Sequence, residues 1–328
     1  MPPTKIKKPI PAWTKPRKLS NAKDYDWRRD GTTQSILSAF VQCRRLAGYI
    51  LGRWEPIKTK DALVFGSLWH TIMEYYGTAL MEAQPIPSFA EIVKHARMSG
   101  AVPHGDQKAE IMLAMAGALY NGYVKMWAKK DAKVKFVFVE QVCDERLSAP
   151  FPDIRFRGKI DAGTRVKSKL WLVERKTRAQ LDEGNLTNAL AFDFQSQCYT
   201  FLAEERFQED VTGISYDVVS KPQHRFTDKD SIESYSAKIA AAIQAEPAKY
   251  FNRYEIVQPA RNKEEFLVEL RMKLADFISW REGVMPTYAN QSACIGRGVC
   301  DFLECCGARA MIGCVQTRRL FRELEEGA

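Results

Sequence analysis

IRFRGKIDAGTRVKSKLWLVERK, residues 154–176, is the stretch on which the fold class turns. Two short runs rich in β-branched and aromatic residues, 154–161 and 170–175, flank a segment holding Gly163 and Ser168, which predicts neighbouring strands joined as a hairpin. The first run closes on Asp161, and the second carries Glu174, followed after one residue by Lys176. Pairing the strands brings both carboxylates to one sheet edge, where hard oxygen ligands can hold Mg²⁺ or Mn²⁺ in preference to softer metals. Lys176 adds a positive donor beside them that can stabilise developing charge or orient a water. As bare spacing, Asp followed by Glu-x-Lys also describes solvent-facing partners on a strand, so the rest of the chain must decide.

Outward from that hairpin, residues 133–142 and 213–220 read as further strands. Apolar residues at helical spacing predict helices over 38–49, with Cys43 near the middle, and over 61–80, 89–98 and 106–129. More follow over 188–207, 230–246 and 263–280, before a Gly- and Cys-rich region over 286–314. The expected class is α/β: a small mixed central sheet flanked by helices, a helical N-terminal part and a cysteine-rich C-terminal clasp. No GxxxxGK[ST] phosphate loop occurs, which argues against an ATP-driven motor.

The chain has 328 residues, 45% hydrophobic and 27% charged, an ordinary composition for a globular protein. No run approaches the roughly 18 apolar residues of a membrane span, and the basic start is followed by no apolar signal core, so no membrane association and a cytoplasmic address are expected. Of the net charge of +9, residues 1–30 carry nine Lys or Arg against three Asp. Five prolines in that stretch predict an extended tail, which suits either a polyanionic partner or a solubilising terminus.

Four motifs recur in a telling order: GSLWHTIME (66–74), GKID (158–161), ERK (174–176) and QSQCY (195–199). Together they resemble the PD-(D/E)xK nuclease superfamily, and within it the RecB-like exonuclease branch, whose motifs read G-x-x-x-H-x-x-x-E, G-x-x-D, (D/E)-x-K and Q-x-x-x-Y. The resemblance implies a restriction-endonuclease-like core that hydrolyses DNA with Mg²⁺ or Mn²⁺. It implies His70, Asp161, Glu174 and the backbone carbonyl of Arg175 as metal ligands, with Lys176 as the catalytic lysine. Gln195 and Tyr199 would position the DNA strand or the lysine, Gly66 would permit close helix packing, and Glu74 would orient His70 or a water. Read alone, His70 is a core histidine and Gln195 with Tyr199 the edge of an amphipathic helix; the ordered set of motifs reverses the reading of His70. Arg155, Arg157, Arg165, Lys221, His224 and Arg225 are candidate phosphate contacts or ordinary surface charges.

The same branch includes AddB-like and CRISPR-associated adaptation nucleases in which one N-terminal and three C-terminal cysteines hold a [4Fe-4S] cluster. By that resemblance Cys43, Cys294, Cys300 and Cys305 would be the ligands here, with Cys306 an alternative to Cys305 and Cys314 a spare. Four thiolates also satisfy Zn²⁺. Cys143 and Cys198 fall in predicted elements and read as core residues. The expected organisation is a tail over 1–30 and one nuclease domain over 31–328. Within it, 31–130 is helical, 131–220 the catalytic core, 221–285 helical and 286–316 the iron–sulfur clasp. The expected role is exonucleolytic, in DNA recombination, repair or phage DNA metabolism, with single-stranded DNA or DNA ends as substrate and a helicase or recombinase as partner. The competing expectation is a DNA-binding or recombination-accessory protein that keeps fold and cluster without hydrolysis.

Overall fold

Why Gly158–Asp161 becomes a site rather than plain strand follows from how one long strand divides its edge between two partners. The computed structural model describes residues 25–57, 60–98, 106–178, 190, 192–257, 260–296, 299–308, 311–318, 320–321 and 324. The chain starts with α1 (Trp27–Asp30), β1 (Thr32–Thr33), α2 (Gln34–Gln42), α3 (Arg44–Leu51) and β2 (Trp54–Pro56). The long helices α4 (Asp61–Met81), α5 (Phe89–Met98) and α6 (Gln107–Asp131) come next. The sheet strands are β3 (Lys135–Arg146), β4 (Arg155–Val166), β5 (Lys169–Arg178), β6 (Val211–Ser220) and β7 (Phe251–Val257). Between and after them lie α7 (Phe194–Phe207), α8 (Ile232–Ala245) and α9 (Ala260–Arg281), then α10 (Ser292–Ile295), α11 (Leu303–Ala308) and β8 (Cys314–Gln316).

The central sheet is mixed, in the order β1-β4-β5-β6-β7 with β3 on the other edge of β4. β3 runs antiparallel to β4 from Lys135↔Arg165 to Arg146↔Arg155. β4 and β5 form an antiparallel hairpin paired only over Ala162–Val166 and Lys169–Val173. β1 takes Phe156 and Arg157 of β4 in parallel. Gly158–Asp161 lies between those two ladders, so β4 and β5 part there and leave a fork. β6 pairs parallel with β5, and β7 antiparallel with β6.

Each face of the sheet carries its own apolar core. Phe156, Ile160, Leu172, Ile214 and Tyr216 pack with Phe201 and Leu202 of α7 and Leu270, Leu274 and Phe277 of α9. The other core joins Leu68, Trp69, Ile72, Met73 and Tyr76 of α4 to Leu119, Tyr120 and Tyr123 of α6, Ile239 of α8, and Val219 and Phe251. Asp106 caps α6 by accepting from Lys108 N at 2.9 Å, and Thr33 caps α2 through Ile36 N at 3.4 Å.

Several expectations shift. The helix expected over 38–49 is broken at Cys43, whose backbone is extended (φ −165°, ψ 118°) as it ends α2 and opens α3. The hairpin turn is Lys167–Ser168, both at positive φ, as a two-residue turn matching strand twist requires. Gly163 instead lies inside β4, where a Cβ would come within 2.3 Å of the Phe138 ring. β7 was not expected at all. Cys143 and Cys198 are fully buried, and so are Trp69 and Tyr76. Residues 1–24 of the expected tail, the start of the helix expected at 188 and Gly298 lie outside the described residues. No helix of the described residues is long and apolar enough to cross a membrane.

Candidate active site

At the fork, α4 lays His70 over the point where β4 and β5 separate. Its Nδ1 is 3.3 Å from Asp161 Oδ1 and 3.9 Å from Glu140 Oε1, and its side chain is 37% exposed, which leaves the group open to solvent. Among the described residues these three form the one group of His, Cys, Asp or Glu with donor atoms all within 4.8 Å of one another. Asp161 is buried, and its Oδ2 accepts from the Arg175 backbone N–H at 2.7 Å. The buried Arg175 guanidinium donates to the Asp161 carbonyl at 3.4 Å and lies 3.9 Å from Glu140 Oε1.

Glu140 escaped the sequence reading, and the backbone shows why. Phe138 and Cys143, five residues apart on β3, bury into the same core, although regular alternation puts residues an odd number apart on opposite faces. The pleat slips between them, where Glu140 adopts φ 47°. The same slip occurs on β4, where Ile160 and Gly163, three apart, both face that core. Glu140 and Asp161 oppose each other between the pairs Val139↔Ala162 and Gln141↔Ile160, where the pairing register is unbroken, the ladder's register shift lying between Phe136 and Phe138. Lys159 holds Glu140 Oε2 at 2.8 Å, while Oε1 is buried without a hydrogen-bond partner. The one sequence signal was a carboxylate inside the apolar run FVFVEQV.

A second group lies beside the first. Lys176 Nζ is 2.7 Å from Glu174 Oε1, donates to Gln195 Oε1 at 2.9 Å and lies 3.8 Å from Asp193 Oδ2. Gln195 Nε2 donates in turn to Tyr199 OH at 3.3 Å, one turn along α7. Asp193 caps α7 through Ser196 N, which fixes where the helix presents Gln195. Glu74 is exposed, and its charge reaches Lys159.

The charges are interdependent. Asp161 pushes His70 up to about 10 against the cost of burial. Burial works against the Asp161 charge, but His70 and Arg175 outweigh it and hold the carboxyl below the usual range. Burial, and then Asp161, push Glu174 up to about 7, with Lys176 pulling the other way. For Lys176, Glu174 and Asp193 outweigh burial and keep the ammonium charged. One imidazole nitrogen, the Asp161 carboxylate and the orphaned buried oxygen of Glu140 make a donor set that fits a hard divalent cation. Arg155 and Arg157 are paired to Asp144, and Arg165 to Glu209, so these three are partly neutralised.

Cys43, Cys294, Cys300 and Cys306 line one cavity with Tyr49 and Phe302. Asn290 N donates to Cys43 Sγ at 3.4 Å, and Tyr49 OH to Cys306 Sγ at 3.6 Å. The cavity thus takes Cys306 where the sequence reading favoured Cys305, because successive residues on α11 diverge by about 100° and only one can face it. Cys305 is buried in the same small cluster as Tyr49 and Phe302 but does not line the cavity, and its Sγ lies 2.9 Å from Cys314 Sγ. Four thiols around one cavity are a donor set that fits an iron–sulfur cluster.

Comparison with known proteins gives a family. The family model described as the PD-(D/E)XK nuclease superfamily matches residues 32–307. A crystal structure from Eubacterium rectale described as a "Putative exonuclease" is similar at 11% identity and a TM-score of 0.48, covering 82% of this chain and 88% of that one. No curated protein matches the chain.

Proposed function

This chain belongs to the PD-(D/E)XK nuclease superfamily, and on that premise we propose that it is a metal-dependent DNA exonuclease of the RecB-like branch. The observation that carries the reading is the fork itself, where His70, Glu140 and Asp161 converge while Glu174, Lys176 and Gln195 form a connected chain beside them. His70, Asp161 and Glu140 would hold Mg²⁺ or Mn²⁺, with Glu174 and the Arg175 carbonyl completing the set. A divalent ion bound there supplies an acidified water and offsets charge building on the scissile phosphate.

The chain's own residues do the rest. Lys176, kept protonated by Glu174 and Asp193, is a fixed cationic donor for a phosphoryl oxygen or the attacking water. Gln195 holds that ammonium in place, and Tyr199 orients the Gln195 amide. Arg175 N–H fixes the Asp161 carboxylate so that Oδ1 is left facing His70.

The second cofactor in this reading is a [4Fe-4S] cluster on the four-thiol cavity. A single tetrahedral Zn²⁺ holds its sulfurs within about 3.8 Å of one another, given Zn–S bonds of about 2.3 Å. The choice of the cluster over such a zinc ion rests on the resemblance to nucleases with one N-terminal and three C-terminal cysteines, whose four thiolates hold iron and sulfur. The reading further takes residues 31–328 as one catalytic domain and the basic tail as a contact to DNA. It places the protein in the cytoplasm, in recombination, repair or phage DNA metabolism, with a helicase or recombinase supplying single strands or ends.

The test is digestion of end-labelled linear single- and double-stranded DNA beside closed circular DNA, with Mg²⁺ or Mn²⁺, on protein purified without oxygen. Linear DNA is digested and circular DNA spared, and Lys176→Ala lowers the rate by about 10²-fold or more while DNA binding persists. Wild-type protein that binds DNA and never cuts it under either metal would replace this reading with the accessory-protein one.

A further inference from the structure

The cysteines of the clasp fall into two sets, and only one of them faces the four-thiol cavity. Cys305 and Cys314 make the other. Their sulfurs are 2.9 Å apart, against about 2.05 Å for a disulfide bond, and Cys305 Sγ also lies 3.2 Å from the Ile312 carbonyl. Cys305 is buried on α11, whereas Cys314 is half-buried at the start of β8.

What the pair would join is defined by the neighbouring backbone. β8 runs antiparallel to β2, with Pro56 opposite Cys314 and Trp54 opposite Gln316. Ile57 N–H donates to the Gly313 carbonyl at 2.9 Å, and Thr317 N–H to the Arg53 carbonyl at 2.8 Å. β2 follows α3, and α3 opens at Cys43 on the cavity. A covalent link from α11 to β8 therefore ties both walls of the cavity together without using any thiol that lines it.

We propose that Cys305 and Cys314 are a redox-active dithiol, separate from the four-thiol cavity, which a small-molecule disulfide converts into a cross-link between α11 and β8. The more accessible Cys314 loses its proton and attacks the oxidant RSSR, breaking its S–S bond and releasing one thiol RSH. Cys305 then attacks the Cys314 sulfur of the mixed disulfide and releases the second RSH. The pair gives up two electrons and two protons, and the oxidant takes both.

The cross-link itself is read without any nuclease activity, while the iron readout rests on the cluster reading of the four-thiol cavity. Full-length protein is incubated anaerobically with glutathione disulfide, its remaining thiols are alkylated, and peptides are mapped without reduction. Wild type forms one cross-link, between the peptides of Cys305 and Cys314, and Cys314→Ser forms less than about a tenth as much while keeping its iron content and melting temperature. Mapping of the wild type decides even if the variant fails to fold. A cross-link mapped to any other pair, no cross-link after a day, or loss of iron from Cys314→Ser with Cys306→Ser unaffected would overturn the proposal.

Discussion

Glu140 holds two costs at one residue. A non-glycine residue at φ 47° is disfavoured by about 1–2 kcal/mol, and a buried carboxylate oxygen without a hydrogen-bond partner adds a desolvation penalty. Both costs fall beside Asp161 and His70, where a bound cation would satisfy that oxygen. Lys159 holds the other oxygen and so fixes which one faces the site. Glu140→Gln keeps the shape and removes the charge, and its expected effect is a loss of about tenfold or more in Mn²⁺ affinity by calorimetry. Unchanged affinity with unchanged circular dichroism would remove Glu140 from the metal set. His70 and Asp161 could be picked out from the sequence because each sits in one of the ordered motifs, GSLWHTIME and GKID, whereas Glu140 belongs to none of them and is hidden by the irregularity of its strand.

At the scale of elements, α4 shows where a sequence motif was read correctly in position and wrongly in cause. Gly66 was expected to allow close packing, yet a Cβ there would meet only Thr177 Oγ1, at an ordinary 3.7 Å. The close approach is at Gly77, where a Cβ would lie 3.1 Å from the Arg175 guanidinium and from Val139. Gly66→Ala is therefore expected to stabilise the fold by about 0.5–1 kcal/mol through helix propensity alone. Gly77→Ala gains the same propensity but overpacks the buried Arg175, and the crowding costs about 1–3 kcal/mol, so the net change is a loss. Urea denaturation of the two variants tests this, and a stabilised Gly77→Ala would refute the packing account. The helices and the β4–β5 hairpin were legible because burial on one face imposes a period. β7 was not, since FNRYEIV interleaves polar residues that serve a buried ion pair, and the break at Cys43 follows from a long-range contact to Asn290 that no local pattern records.

Across the whole molecule, the helical N-terminal part is fastened to the sheet by a buried polar network rather than by apolar contact alone. Arg253 of β7 binds Asp131 at the end of α6 through Nη1 at 2.5 Å and Nη2 at 2.8 Å, and lies 3.3 Å from Asp217, its neighbour across the ladder to β6. Tyr76 of α4 donates to Asp131 at 2.8 Å, Tyr123 of α6 donates to Asp217, and Trp127 stacks under the guanidinium at 4.3 Å. Tyr76 lies less than two turns from His70, so the network sets the rotation of α4 and with it the distance from His70 to Asp161. Arg253→Met leaves two buried carboxylates without their cation, which costs about 3–5 kcal/mol by the usual penalty for breaking a buried pair. Combining it with Asp217→Asn should recover part of that loss, because the added change removes one uncompensated charge. Chemical denaturation of the single and double variants measures the recovery, and Mn²⁺ titration of the same proteins reads the site. If Arg253→Met lowers stability but leaves Mn²⁺ affinity at the wild-type value, the network holds the fold without positioning His70. If both fall together, the orientation of α4 is the link between the remote network and the fork.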